Sequence, residues 1–246
     1  MRPIFGRIGS NRLTAKYIIP LFPEHTKYVE AFVGGGSIYF LKEKSKEEVI
    51  NDLELELIDG YKAILEAKPE YRYTKLNTIA LLTDYLKEPI VTPTDVLVNK
   101  IINSCNGFSG RDIINTVYKT SDPIKKILNI EKYQKRMKDT KICSEDYKVI
   151  IEREDSLNTF FFLDPPYEKS TRLYKHGSFN YKELLDILQN IKGKFMLNVN
   201  GSDTMRDMFK EFKITEIIEV RKTTINKDVR SNIGSKERVD LLIMNY

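Results

Sequence analysis

The run from Phe160 to Leu163 is apolar at every position and stops abruptly at Asp164-Pro165-Pro166-Tyr167. A strand with no polar face has to be covered on both sides, which is the situation of an inner strand in a parallel sheet layered between helices. The prolines end it, because each lacks an N–H and fixes φ. Asp164 therefore stands at the carboxyl end of a strand, where open α/β sheets bind their ligands. A rigid turn presenting a carboxylate, a backbone carbonyl and an aromatic face suits a flat ring that carries an amine. A Pro-Pro turn that only caps a strand would read the same over these residues, so the distinction has to come from elsewhere in the chain.

The first half supplies a second strand end. Tyr28 to Val33 reads as a strand running into Gly34-Gly35-Gly36-Ser37, after which Ile38 to Leu41 begins a helix. Glycines between strand and helix let the backbone approach a ligand closely and turn helix N–H groups toward it. Val49 to Leu53 reads as the next strand, ending in Asp52, sixteen residues beyond Gly36. An acid there can accept hydrogen bonds from ribose hydroxyls. A dinucleotide site would need a third glycine in Gly-x-Gly-x-x-Gly, and Ser37-Ile38-Tyr39 does not supply it. A short amphipathic helix over Leu13 to Phe22 and a longer one over Leu53 to Leu65 pack against this half. In the second half, Thr140 to Cys143 resumes the sheet together with Ser144 to Tyr147. The helix of Tyr181 to Ile191, the strand of Lys194 to Asn200, the helix of Thr204 to Phe209 and two closing strands (Ile214 to Val220, Val239 to Met244) follow. Arg221 to Arg238 reads as a polar loop. The pattern predicts an α/β fold, a largely parallel Rossmann-like sheet with helices on both faces.

Between the halves the βα alternation breaks. From Lys100 to Lys141 there are ten bases and four acids, a local charge of +6 that exceeds the +5 of the whole 246-residue chain. A basic segment with a polar loop at Asn103 to Arg111 is the footprint of a nucleic-acid grip, although a lysine-rich face turned to solvent gives the same count. The expected organisation is a catalytic domain of residues 1–68 and 140–246, interrupted by a mainly helical subdomain of residues 69–139. No apolar run approaches the roughly 20 residues that span a bilayer, and Met1-Arg2-Pro3-Ile4 does not open a signal segment. A soluble, cytoplasmic protein is expected. Cys105 and Cys143 lack metal-ligand or disulfide spacing, and His25 and His176 have no ligand pattern around them, so no metal is assigned.

Asp164-Pro165-Pro166-Tyr167 after its apolar strand resembles the catalytic motif of S-adenosylmethionine-dependent amino-methyltransferases. The aspartate form is typical of adenine-N6 DNA enzymes, and serine in the first position is commoner in cytosine-N4 enzymes. Phe32, Gly34 and Gly36 match the Phe-x-Gly-x-Gly cofactor motif, and Asn51-Asp52-Leu53 matches the acidic motif after it. Cofactor motif first, catalytic motif second, with an insertion between, is the order of the Dam-like (D12 class) family. Arg2 to Arg12 resembles that family's first motif, with Asn11 standing where a lysine is usual.

The resemblance implies S-adenosylmethionine as cofactor, held by Asn11, Arg12, Glu30, Phe32, Gly34, Gly35, Gly36, Asp52, Leu53, Asp146, Tyr147 and Asp164. It implies catalysis by Asp164, Pro165, Pro166 and Tyr167 on double-stranded DNA. The inserted subdomain would recognise the target, with Asn106, Ser109, Arg111, Lys119, Lys125 and Lys126 as DNA contacts. The family allows a cognate restriction endonuclease as partner without requiring one. The adenine amine is a poor nucleophile because its lone pair is delocalised, so the motif would stabilise positive charge developing on nitrogen. A duplex hides N6, so the base would be flipped out. Two other readings stay open at this point: an RNA or protein-amide methyltransferase of the same fold, and a catalytically silent DNA-binding relative.

Overall fold

The computed structural model describes residues 1–6, 10–68, 89–106, 123–166, 179–222 and 235–246. Its centre is one seven-stranded sheet of β1 (Lys27–Glu30), β2 (Glu47–Asn51), β3 (Lys141–Cys143), β4 (Thr159–Leu163), β5 (Lys194–Asn200), β6 (Lys213–Lys222) and β7 (Ser235–Met244), in the order β3-β2-β1-β4-β5-β7-β6. The first five strands are parallel to one another, and β7 inserts antiparallel between β5 and β6. This is the expected Rossmann-like class. The winding reverses between β1 and β4, and a crevice beyond the carboxyl ends of two such strands is where ligands bind.

The apolar run of β4 is buried at every position, as a central parallel strand requires. Its alternate residues serve two cores. Phe160 and Phe162 face one cluster and Phe161 and Leu163 the other. The first face is covered by α2 (Ser37–Leu41), α3 (Leu55–Glu66), α4 (Pro93–Asn106), α5 (Pro123–Leu128) and α6 (Ile130–Met137), which contribute Tyr39, Tyr61, Ile101, Ile127 and Tyr133 among others. The second is covered by α7 (Tyr147–Glu154), α8 (Tyr181–Gln189) and α9 (Asp203–Met208), through Ile150, Leu184 and Met205. The described helices of the interval 69–139 thus share a core with the glycine-bearing half of the sheet. The opening segment shares it too, since Ile4 and Phe5 are buried and Phe5 meets Tyr61 edge to face at 5.1 Å.

Four boundaries differ from the pattern-based expectation. β1 ends at Glu30 rather than Val33, because Gly36 N–H bonds to Val33 O at 2.7 Å and closes a tight turn. Ser144 to Tyr147 does not extend the sheet. Asp146 accepts from Lys148 N at 2.9 Å and caps α7, a helix that the charged run Glu152-Arg153-Glu154 hid from periodicity. At the chain's other end, Arg221 and Lys222 pair with Lys236 and Ser235, so the expected polar loop begins and ends inside the β6–β7 ladder. The N-terminal helix is also shorter, α1 (Ala15–Ile18) tightening into a 3-10 turn at Ile19–Leu21.

A buried charge network fixes α6 to the glycine-bearing half. Glu48 on β2, 3% exposed, accepts from Lys42 Nζ at 2.6 Å, from Ser45 N at 3.1 Å and from the Arg136 guanidinium. Arg136 also donates to Tyr39 O at 2.6 Å and lies 4.1 Å over the Tyr39 ring. Burial alone would raise the Glu48 pKa, but the Arg136 and Lys42 bonds hold it below the ordinary carboxylate value. Glu48→Ala leaves two cations uncompensated in the interior and is expected to destabilise the fold by about 3–5 kcal/mol, measurable by urea unfolding. The contribution of the depressed carboxyl is present above its unfolded pKa and is lost as pH falls through its folded value.

Candidate active site

Strand register assembles the site. Glu30, Phe162 and Met196 are aligned partners on β1, β4 and β5. Because side chains alternate, Tyr28 and Glu30, Phe160 and Phe162, and Met196 point to the same face, and one step beyond the pairing Asp164 and Asn198 follow on that face. The parallel direction of the three strands puts these polar positions together at one edge.

The contacts there are specific. Asp164 is partly exposed. Its Oδ2 accepts from Asn11 Nδ2 at 2.7 Å and its Oδ1 from Asn198 Nδ2 at 2.9 Å. Asn198 Nδ2 also lies 3.4 Å from Asn11 Oδ1. Asn11 and Asn198 are 5% and 1% exposed. Pro165 is buried, and the Pro166 carbonyl accepts from Tyr181 Oη at 3.0 Å, which ties the turn to α8. Tyr167 lies outside the described residues. Glu30 is 2% exposed and accepts from Tyr28 Oη at 2.7 Å. Burial is the main reason its pKa rises to about 8, and the nearby Asp164 charge pushes the same way against the Tyr28 hydrogen bond.

The glycine turn lies beside this group, at the end of β1. Gly34 and Gly36 have φ of 47° and 68°, and among the described residues no heavy atom beyond the chain neighbours lies within 4 Å of where a Gly34 Cβ would stand. That open side is the kind of approach a ligand needs. Asp52, partly exposed at the end of β2, accepts from Gly34 N at 2.9 Å and from Glu54 N at 3.0 Å, and Tyr61 Oη donates to Gly34 O at 2.7 Å. Asp52 thus supports the turn from below. Leu53 beside it is 49% exposed, an apolar surface next to an acid. Asn51 crosses to the neighbouring strand ends, donating to Ala31 O at 3.0 Å and Glu145 O at 2.9 Å and accepting from Glu145 N at 2.9 Å. This brings the Asp146 end of β3 toward the glycine turn, where Phe32, Tyr147 and Phe179 form an aromatic group with centroids 5.2–5.5 Å apart.

Of the sequence-predicted residues, Glu30, Phe32, Gly34, Gly35, Gly36, Asp52, Leu53, Asp146, Asp164, Pro165 and Pro166 lie on the loops or strand ends of this edge, and Tyr147 opens α7 beside them. Asn11 joins them through Asp164 rather than through the glycines, and Ser10 shares a 2.7 Å hydrogen bond with Ser37 at the start of α2. Arg12 is turned to solvent. Asn198 was not among the predicted residues. Its signal was a polar side chain inside the otherwise apolar Phe195 to Val199.

The basic interval is less available than its charge count suggests. Lys126 corrects the expectation directly: its ammonium points inward to Ile4 O, and burial lowers its pKa. Lys100 pairs with Glu56, Arg136 with Glu48 and Lys141 with Glu154. Lys125, Lys132, Lys135 and Lys138 face solvent on α5, α6 and the turn after them. Asn106 closes α4; Ser109, Arg111 and Lys119 lie outside the described residues. Among the described residues there is no group of three His, Cys, Asp or Glu that could hold a metal, and no helix is long and apolar enough to cross a membrane.

A family model described as D12 class N6 adenine-specific DNA methyltransferase matches residues 8–90 and 101–223. The type II methyltransferase M.CviBI of Paramecium bursaria Chlorella virus NC1A is 25% identical over 234 residues, covering 88% of this chain and 89% of the relative. M1.LlaDCHI, a type II methyltransferase of Lactococcus lactis subsp. cremoris, is 26% identical over 294 residues, covering 100% of this chain and 96% of the relative.

Two outcomes follow from the geometry. Folded Glu30 titrates near 8 rather than at 4.5, so between those values the native chain holds a proton that the unfolded chain has released. Native stability therefore falls as pH rises through this window. Glu30→Gln keeps the acceptor for Tyr28 and stays neutral, and is expected to flatten the dependence and exceed the wild type in stability at pH 8, read from denaturation midpoints across pH. Gly36→Ala would force a Cβ to 2.9 Å from Tyr61 Oη at a left-handed φ. A loss of about 1–2 kcal/mol from the backbone alone is expected, detectable as a lowered melting temperature.

Proposed function

The chain belongs to the D12 class N6 adenine-specific DNA methyltransferase family, and from that premise we propose that it transfers a methyl group from S-adenosylmethionine to N6 of an adenine extruded from a DNA duplex. The observation that carries this reading is the convergence of Asp164-Pro165-Pro166 and the Gly34 to Gly36 turn at the carboxyl ends of two adjacent parallel strands. One site offers a close-approach turn and the other an acceptor for an amine.

The residues present fit S-adenosylmethionine. The open side of Gly34 would admit its methionine part, Asp52 would accept from ribose hydroxyls, and Leu53, Asp146 and Tyr147 would border its adenine ring. When bound, it supplies a methyl group activated on a sulfonium. The protein's own task is to orient and stabilise the amine. Asp164 accepts a hydrogen bond from N6 and offsets the positive charge developing there, in a partly enclosed site where such a bond is worth more than in water. The Pro165 carbonyl accepts the second N–H, and Tyr167 stacks on the ring to hold it in line. The N6 proton leaves after transfer, because the methylated ammonium is strongly acidic, so no histidine base is needed.

Target recognition is assigned to the interval 69–139, with its solvent-facing Lys125, Lys132 and Lys135 contributing phosphate contacts and Asn106, Ser109, Arg111 and Lys119 retained as DNA contacts. Extruding the base costs a few kcal/mol, offset by stacking and backbone contacts. The type II methyltransferase relatives support a role in DNA modification inside the cell, beside a restriction endonuclease where one is encoded.

The test is incubation of the purified protein with S-adenosylmethionine and unmethylated duplex DNA, digestion to nucleosides and mass spectrometry for N6-methyladenine. Signal from the wild type and none from a folded Asp164→Ala variant is expected. Wild-type protein that binds the cofactor yet leaves duplex adenine unmodified would overturn the substrate, and an active Asp164→Ala would overturn the catalytic assignment.

A further inference from the structure

We infer that Asn198, acting with Asn11, is a positioning residue that fixes the carboxylate plane of Asp164 for the incoming amine. The inference rests on the catalytic role proposed for Asp164. Three observations carry it. First, the two amides divide the carboxylate between them, Asn11 Nδ2 on Oδ2 at 2.7 Å and Asn198 Nδ2 on Oδ1 at 2.9 Å. Second, both amides are nearly inaccessible to water, at 5% and 1% exposure, whereas the carboxylate between them is partly exposed. Third, they approach from different parts of the chain, Asn11 from the segment before α1 and Asn198 from β5, and they meet each other at 3.4 Å.

The physical need for such a pair is clear. The terminal torsion of an aspartate is broad and roughly two-fold, so a carboxylate at the end of a strand is free to turn unless held. One donor on each oxygen stops that rotation. A carboxylate can accept about four hydrogen bonds, and the two amides supply one to each oxygen. Both donors are neutral. These two contacts therefore orient Asp164 without themselves setting a positive charge against it. Asn198 has a further geometric advantage: it sits in a strand, paired with Leu242 on β7 and one residue past the Leu163–Leu197 pair with β4, whereas Asn11 sits on a loop.

The decisive experiment measures kcat for DNA methylation, the cofactor Kd by calorimetry and the melting temperature for the wild type, Asn198→Leu, Asn11→Ser and the exchange variant Asp164→Asn/Asn198→Asp. Misorientation of a reacting partner by an ångström costs about 100-fold, so kcat is expected to fall by that order in both single variants, with the cofactor Kd within about two-fold of wild type. The exchange variant keeps one amide and one carboxylate in contact, and is expected to melt near the wild type yet remain inactive. Two results overturn the inference: single variants whose kcat stays within about three-fold of wild type, or a loss of kcat matched by an equal loss of cofactor binding and of cooperative melting. If the Asn198 variant does not fold, Asn11→Ser, altered on a loop, decides by the same criteria. A wild type without methylation activity would instead count against the proposed reaction itself.

Discussion

Everything at this site follows from three neighbouring strands running the same way. In β1, β4 and β5 the hydrogen-bonded register aligns Glu30 with Phe162 and Met196, and the pleat sends every second side chain to one face. Polar residues at or near the ends of separate strands are thereby delivered to a common point. An antiparallel neighbour would have sent its terminal residue to the opposite edge. The site is therefore as rigid as the sheet, and loops are needed only to bring the remaining pieces, Asn11 and the glycine turn, up to it.

Legibility in the sequence follows the same division. The inner strand was readable because burial on both faces leaves an unbroken apolar run, and its end was readable because two prolines cannot pair. The glycine turn was readable because only glycine adopts φ of 47° and 68° without strain. Asn198 escaped attention because its importance lies in register with Asp164, a relation between strands 34 residues apart in sequence that no local pattern states. The start of α7 escaped because Asp146 is ambiguous on its own: an acid before an aromatic can line a loop or cap a helix, and here the Lys148 amide decides.

Charge was the least transferable signal. A stretch with ten bases and four acids has an evident excess on paper, yet Arg136 is spent on a buried carboxylate, Lys126 on a backbone carbonyl and Lys100 and Lys141 on acids elsewhere in the fold. Counting along the chain cannot see partners that arrive from other elements. What remains for a phosphate is set by which side chains face outward, and among the described residues of this stretch those lie on α5, α6 and the turn after them.

Glu48 gives that arrangement a mechanical meaning. It joins Arg136 on α6 to Lys42, just past the end of α2, in a place with almost no exposed surface. Apolar helices can slide across one another by repacking, but a carboxylate shared by two cations has no neighbouring resting place. The outward-facing lysines of α6 are consequently mounted on the same rigid block as the glycine turn. A force applied to them from outside is borne by β2 and α2 together, and the distance between the basic face and the turn behaves as a fixed length rather than a hinge.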